Sequence, residues 1–165
     1  MAKKAKLKKE HVLALRLYSS NSYDRINKPL RDVLTREPTD DTPHPYPATT
    51  FYVREAVLKL RACLDEKEFK IPKTFYRGMA NMTVMGDFIE HGGTEMACMS
   101  TSEIKEEALK FAASKHPMLL QFEVETSVQC GADISWLSMY PDEKEWLFPP
   151  LTFLKFLEQS RDKLA

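Results

Sequence analysis

Cysteine is scarce in this chain, and its three copies, Cys63, Cys98 and Cys130, are odd in number and widely spaced, with no C-x-x-C pair. They read as reduced core thiols, which points to a reducing compartment. The four histidines, His11, His44, His91 and His116, show no metal-ligand spacing, so no metal site is expected. Long apolar runs are missing as well. None approaches the ~20 residues of a membrane span, and Val12-Leu13-Ala14-Leu15 is broken at Arg16, which argues against a signal peptide. A cytoplasmic protein is the expectation, with a secreted effector left open. Net charge is absent too. Lys+Arg and Asp+Glu both total 24, which removes the overall basic footprint of a nucleic-acid binder. The exception is local: Lys3, Lys4, Lys6, Lys8 and Lys9 stand against Glu10, so residues 1–10 are expected to form a flexible basic tail.

What is present fits one globular domain over residues 1–165, expected to be a monomer: 43% of the chain is hydrophobic, enough for a sizeable core. No internal repeat is visible. Residues 7–18 and 22–35 carry apolar residues at helical spacing (Leu7, Val12, Leu15, Leu17; Tyr23, Ile26, Leu30, Val33, Leu34). Residues 37–47 hold four prolines and read as an extended loop. Thr49 or Thr50 is expected to cap a third helix with Val53, Ala56, Val57, Leu60 and Leu64 on one face. Strands are expected at 73–77, ending at Gly78, then at 94–100, 118–124, 130–135, 144–148 and 151–157. Short helices are expected at 84–90 and after Ser102, the latter with Ile104, Ala108 and Phe111 inward. Helices first, then strands with an inserted helix, give an α+β fold with antiparallel sheets.

The segment Glu143-Lys144-Glu145 followed by Trp146-Leu147-Phe148-Pro149-Pro150 stands out. On a strand, residues i and i+2 share a face, so the two carboxylates are expected side by side with Lys144 and Trp146 pointing away. Like charges that close repel, and a solvated acidic edge is the bland explanation. Two further features stand at strand ends: Arg77 before Gly78, and Ser100-Thr101-Ser102 before a helix. A surface ion pair and simple capping would explain each one singly. Taken together, the arginine fork suits phosphate oxygens, glycine admits a ligand to the backbone, hydroxyls suit a ribose, and a carboxylate stabilises a developing sugar cation.

Phe75-Tyr76-Arg77-Gly78, Ser100-Thr101-Ser102 and Glu143-Lys144-Glu145 in this order resemble the R-S-E class of mono-ADP-ribosyltransferases, which includes clostridial binary toxins, C3-like exoenzymes and vertebrate ecto-enzymes. Leu17-Tyr18 and the stretch from Tyr23 to Arg31 resemble the helical region that precedes the catalytic core in that class, so the likeness covers roughly residues 15–157. The resemblance implies an ADP-ribosyltransferase-like fold, with N-terminal helices packed on a sandwich of two mainly antiparallel sheets. NAD is then the substrate, the partner is a protein with an acceptor arginine, and no metal, nucleic acid or membrane span takes part.

Residue by residue, it implies that Arg77 holds the phosphates and nicotinamide-side ribose, and that the Gly78 backbone pairs with the nicotinamide amide. Ser100 orients the catalytic glutamate, supported by Thr101 and Ser102. Glu145 bonds the ribose 2′-hydroxyl and stabilises the transition state, and Glu143 deprotonates the acceptor. Trp136 and Tyr140, in the loop before the glutamates, are the expected target anchors. Phe88 is a candidate stacking aromatic for NAD, with helix-face packing as its alternative. Cys98 stands two residues before Ser100 where the class often has an aromatic. Met79, Met82, Met85, Met96 and Met99 suggest an adaptable pocket lining, with filler packing as the alternative. NAD glycohydrolysis and a non-catalytic NAD- or ADP-ribose-binding module are the competing functions.

Overall fold

Three helices open the chain. In the computed structural model, which describes residues 1–33, 35, 37, 42–65 and 69–158, α1 (Lys9–Tyr18) buries His11, Ala14, Leu15 and Tyr18. These fall at the i, i+3, i+4, i+7 spacing of one helix face, and the expected apolar residue Leu17 is exposed instead. α2 (Tyr23–Asp32) buries Ile26 and Asn27. α3 (Pro47–Arg61) buries Val53, Ala56, Val57 and Leu60, the face expected. Its cap is Tyr46 and not Thr49 or Thr50, because Pro47 arrives with its φ already helical and fits the first position. Leu34 and residues 38–41 of the proline-rich loop lie outside the described residues.

The basic start of the chain forms hydrogen-bonded turns. Ala5 N–H donates to Met1 O (3.1 Å), Leu7 N–H donates to Ala2 O (3.0 Å), and Ala5 is buried in the helical core. The lysines do face solvent. Ala5 and Leu7, short and easily overlooked between them, hold the segment down.

The large sheet is antiparallel throughout, in the order β4-β1-β3-β6-β5. Its strands are β1 (Lys73–Ala80), β3 (Met99–Ser102), β4 (Pro117–Val124), β5 (Ala132–Asp133) and β6 (Glu145–Phe148). A second, two-stranded antiparallel sheet pairs β2 (Gly93–Glu95) with β7 (Thr152–Leu154). Alternation across the strands divides the core. Cys98, Ala132, Ile134 and Leu147 pack with α1, α2 and α3. Met99, Val124, Trp146 and Phe148 pack with Phe69 and Phe75 on the other side, where Leu154 of the second sheet joins them. β6 is buried at every position because both sides of it are covered. No helix among the described residues is long and apolar enough to cross a membrane.

Several expected boundaries move. β1 runs through Gly78 to Ala80, paired along its length with β4. The single strand expected over 94–100 is two strands in two sheets. The helix expected near 84–90 is α4 (Gly86–His91). α5 (Lys105–Ala112) takes Ile104 as its cap residue in place of Ser102, and Phe111, expected inward, is 54% exposed. Most consequentially, β6 starts at Glu145. Pro141–Glu143 forms a 3-10 turn, and Lys144 closes it in the left-handed conformation at φ 49°. Glu143 and Glu145 therefore do not stand side by side on one strand.

Candidate active site

β1 pairs with β3 only at Tyr76↔Ser102, and beyond it the two strands part. The gap opens into a cavity of about 570 Å³ lined by Arg77, Gly78, Ser100, Thr101, Ser102, Tyr140, Glu143 and Glu145. Eight of the ten residues singled out from sequence therefore meet in one place. The volume is that of a small-molecule site.

Register explains the arrangement. Ser102 lies opposite Glu145, and Ser100 lies opposite Leu147, so Ser100 and Glu145 are diagonal neighbours on one face. Ser100 Oγ donates to Glu145 Oε1 at 2.6 Å. Arg77 Nη1 reaches across the parting strands and donates to the Ser100 carbonyl at 2.7 Å. Ser138 Oγ approaches the other Glu145 oxygen at 3.4 Å. The Thr101 hydroxyl donates to Trp146 O (2.9 Å), locking β3 to β6. Ser102 Oγ donates to Glu143 O (2.6 Å) and accepts the Ile104 N–H (2.9 Å). That one hydroxyl joins the 3-10 turn to the start of α5.

Electrostatics follow from burial. Glu145 is 7% exposed, and burial pushes its pKa above the usual carboxylate value. The Ser100 hydrogen bond works against that shift, and the Glu143 charge adds to it. Glu143 is half-buried, and its pKa is also raised, by burial and then by the charge of Glu107. Burial lowers the Arg77 pKa, though a guanidinium stays protonated at any working pH.

Gly78 lines the cavity, but its missing side chain serves packing. A Cβ there would meet Ala108 O at 1.8 Å and Ala112 N at 2.8 Å, both on the α5 backbone. Glycine lets α5 lie directly on β1.

The helical layer supplies residues that the sequence reading placed near the core without assigning to the site. Tyr18, Asn27 and Arg31 all line the cavity. Tyr18 Oη donates to Cys98 O (3.2 Å), and Asn27 Nδ2 donates to Tyr18 Oη (2.9 Å) and Cys98 O (3.2 Å). Asn27 Oδ1 is buried without a hydrogen-bond partner. Arg31 makes a two-point pair with Glu95 at 3.0 and 3.1 Å, and Glu95 also accepts the Ala97 N–H. Their signal was the Leu17-Tyr18 and Tyr23-to-Arg31 stretch itself, in which polar residues interrupt an otherwise amphipathic helix.

Two of the ten stand outside the cavity. Phe88 packs edge-on against Phe156 at 6.5 Å and lies over Gly93, in keeping with its packing alternative. Trp136, expected as a target anchor and not as a lining residue, is 41% exposed, with its indole N–H donated to Asp133 O. Of the five methionines, Met79 and Met82 line the cavity, while Met85 is exposed and Met99 lies in the core. The described residues contain no cluster of three or more histidine, cysteine or acidic side chains able to hold a metal.

No curated protein matches the chain by sequence. Solved structures do match. ADP-ribosyltransferase HopU1 of Pseudomonas syringae pv. Tomato DC3000 superposes at TM-score 0.61 with 21% identity, over 86% of this chain and 66% of its own. ADP-ribosyltransferase Vis, in complex with the M6 inhibitor, gives 0.65 with 24% identity, over 96% and 70%. The eukaryotic mono-ADP-ribosyltransferase ART2.2 gives 0.66 with 19% identity, over 94% and 62%. The chain thus spans about two thirds of each. At such identities the likeness establishes the fold. Membership comes from a family model, NAD:arginine ADP-ribosyltransferase, which matches residues 1–164: the chain belongs to that family.

Proposed function

We propose that this protein transfers ADP-ribose from NAD to an arginine side chain of a target protein and releases nicotinamide. The observation that carries the reading is the hydrogen-bonded series Arg77 to Ser100 to Glu145 at the cavity, with Glu143 on the same wall. The residues suit the substrate. Arg77 commits Nη1 to Ser100, and its fork has further donors for phosphate oxygens. The partnerless Asn27 Oδ1 is an acceptor waiting for a donor in the same cavity.

Glu145, ionised and largely screened from water, stabilises positive charge on the nicotinamide ribose as its bond to nicotinamide breaks. The electron pair of that bond leaves with nicotinamide, neutralising the pyridinium ring. Ser100 holds the carboxylate through Oε1, and Oε2, approached by Ser138 Oγ at 3.4 Å, keeps a lone pair for the ribose hydroxyl. Glu143 takes one proton from the incoming guanidinium, which otherwise has no lone pair to offer. The neutral guanidine nitrogen then bonds to the ribose carbon, giving a substituted guanidinium. The sum is one nicotinamide and one proton released per transfer. Trp136 and Tyr140, 41% and 48% exposed on either side of Ser138, are the aromatic anchors proposed for the target.

The test is purified protein with labelled NAD and an arginine-rich acceptor. Label should enter the acceptor on arginine, Glu145→Gln should abolish both transfer and nicotinamide release, and Glu143→Gln should abolish transfer while leaving slow NAD hydrolysis. Nicotinamide release that survives Glu145→Gln removes Glu145 from its role. Transfer that survives Glu143→Gln, or label on another residue type, overturns the arginine acceptor.

A further inference from the structure

Phe111 and Glu107 lie four residues apart on α5, hence on one helix face, and both line the cavity. The position of that face is fixed. Ala108 and Ala112 sit so close to Gly78 that no side chain fits between them, which presses α5 onto β1 and leaves Glu107 and Phe111 on the cavity wall. Phe111 is 54% exposed although it stands on a packed helix, and Tyr140, also a cavity residue, is 48% exposed. Glu143 belongs to the turn that Ser102 ties to the start of this same helix. Two carboxylates and two aromatic rings thus line this one cavity, and Glu107 lies near enough to Glu143 for its charge to act on it.

We propose that Glu107 and Phe111 of α5 form, with Glu143 and Tyr140, the acceptor subsite of this cavity, and that the subsite is shaped for a guanidinium. The inference rests on the arginine acceptor put forward above and adds two specificity-determining residues to it. A guanidinium is planar and forked. It takes carboxylates along its edges and aromatic rings against its faces, which is the chemistry gathered here. Glu107 is 21% exposed and at present pairs with Lys110 Nζ at 2.6 Å, a lysine whose own side chain is 66% exposed. An entering guanidinium takes the place of that ammonium, whose flexible stem swings to solvent. The charge of Glu107 also bears on Glu143, raising its pKa, which makes Glu143 a better acceptor for the guanidinium proton.

The experiment is steady-state transfer to agmatine, a small guanidino compound free of protein contacts, with KM for agmatine and for NAD measured separately. Glu107→Gln should raise KM for agmatine about tenfold or more, the scale of one charge-assisted hydrogen bond. Phe111→Ala should raise it by about threefold, the scale of one exposed cation–π contact, and Phe111→Tyr should restore it. KM for NAD should stay near the wild-type value in each. Lys110→Met should lower KM for agmatine, because it frees Glu107, whereas a merely structural ion pair would give no gain. Equal rises in both KM values, or no change in either, refute the subsite while the arginine acceptor stands. Wild-type protein that hydrolyses NAD but never labels agmatine refutes both.

Discussion

Gly78→Ala would place a methyl group where the backbone of α5 already is. The added Cβ would lie 1.8 Å from Ala108 O and 2.8 Å from Ala112 N, against an ordinary contact of about 3.5 Å. Neither obstacle is a side chain that can change rotamer, so the helix or the strand must move by more than about 1.5 Å at the nearer point. β1 is held along its whole length by β4, which leaves α5 as the element that yields. Overpacking typically costs 1–3 kcal/mol, and a double backbone clash belongs at about 3 kcal/mol or above. For a chain of this size that is a fall in Tm of roughly 6–12 °C. Displacing α5 also carries Glu107 and Phe111 outward and loosens the Ser102 link to Glu143, so KM for the acceptor should rise as well. Calorimetry with acceptor kinetics measures both. Gly86→Ala, where an added Cβ meets nothing within 4 Å, is the control and should cost no stability. A Gly78→Ala protein that melts within about 2 °C of wild type, with unchanged KM for acceptor, would show that α5 is not bound to β1 as described.

Ser100→Ala removes the hydrogen bond that holds the Glu145 pKa down. The acid limb of the pH–rate profile should therefore move to higher pH, with kcat reduced even on the plateau; an unmoved limb would count against Ser100 acting through Glu145. Glu145→Gln should stabilise the fold while it destroys activity. The native Glu145 pKa is raised above the usual carboxylate value, so the native state binds more protons than the unfolded chain in the interval above that value. Stability then falls as pH rises through the native pKa. The Gln variant escapes this loss, and thermal melts should show it a few degrees more stable at neutral pH, with the gap closing below about pH 4.5. Arg16 donates through Nη1 to the carbonyls of Leu137 (2.7 Å) and Ser138 (2.8 Å), and Ser19 Oγ accepts the Met139 N–H. Arg16→Ala should cost about 1–2 kcal/mol and speed amide exchange at residues 137–140 more than elsewhere; uniform exchange would show that α1 does not pin this loop.

The site motifs were legible because their spacing survives any error in strand boundaries. Arg77, Ser100 and Glu145 meet however β1 is trimmed, since the register of β3 on β6 brings serine and glutamate together. The route by which Glu143 arrives was not legible. Alternation placed it on a strand with Glu145, whereas Lys144 adopts a left-handed conformation that breaks the strand, and a lone lysine carries no signal for that geometry. Gly78 lines the cavity, as a glycine beside an arginine suggests, but its second role in packing carries no signal in the sequence. Its clash partners lie about thirty residues further on, in α5, and no local pattern reports such a contact. The packing of Phe88 is hidden for the same reason: its partner Phe156 is distant in sequence.

The site also contains groups that packing alone does not explain. Glu145 is a carboxylate buried at a cost that its own hydrogen bonds only partly offset. Asn27 Oδ1 is a buried acceptor with no partner, and Arg77 is a half-buried cation that burial disfavours. Each is unfavourable by itself, and all three line one cavity. A fold selected for stability alone would place apolar residues of similar volume there. Three such groups converge from α2, β1 and β6. Their common complement is a ligand carrying negative oxygens for Arg77, a hydroxyl or amide donor for Asn27, and a positive centre at the Glu145 carboxylate. A dinucleotide with a pyridinium ribose offers these together, and its binding is what turns the separate penalties into one preorganised site.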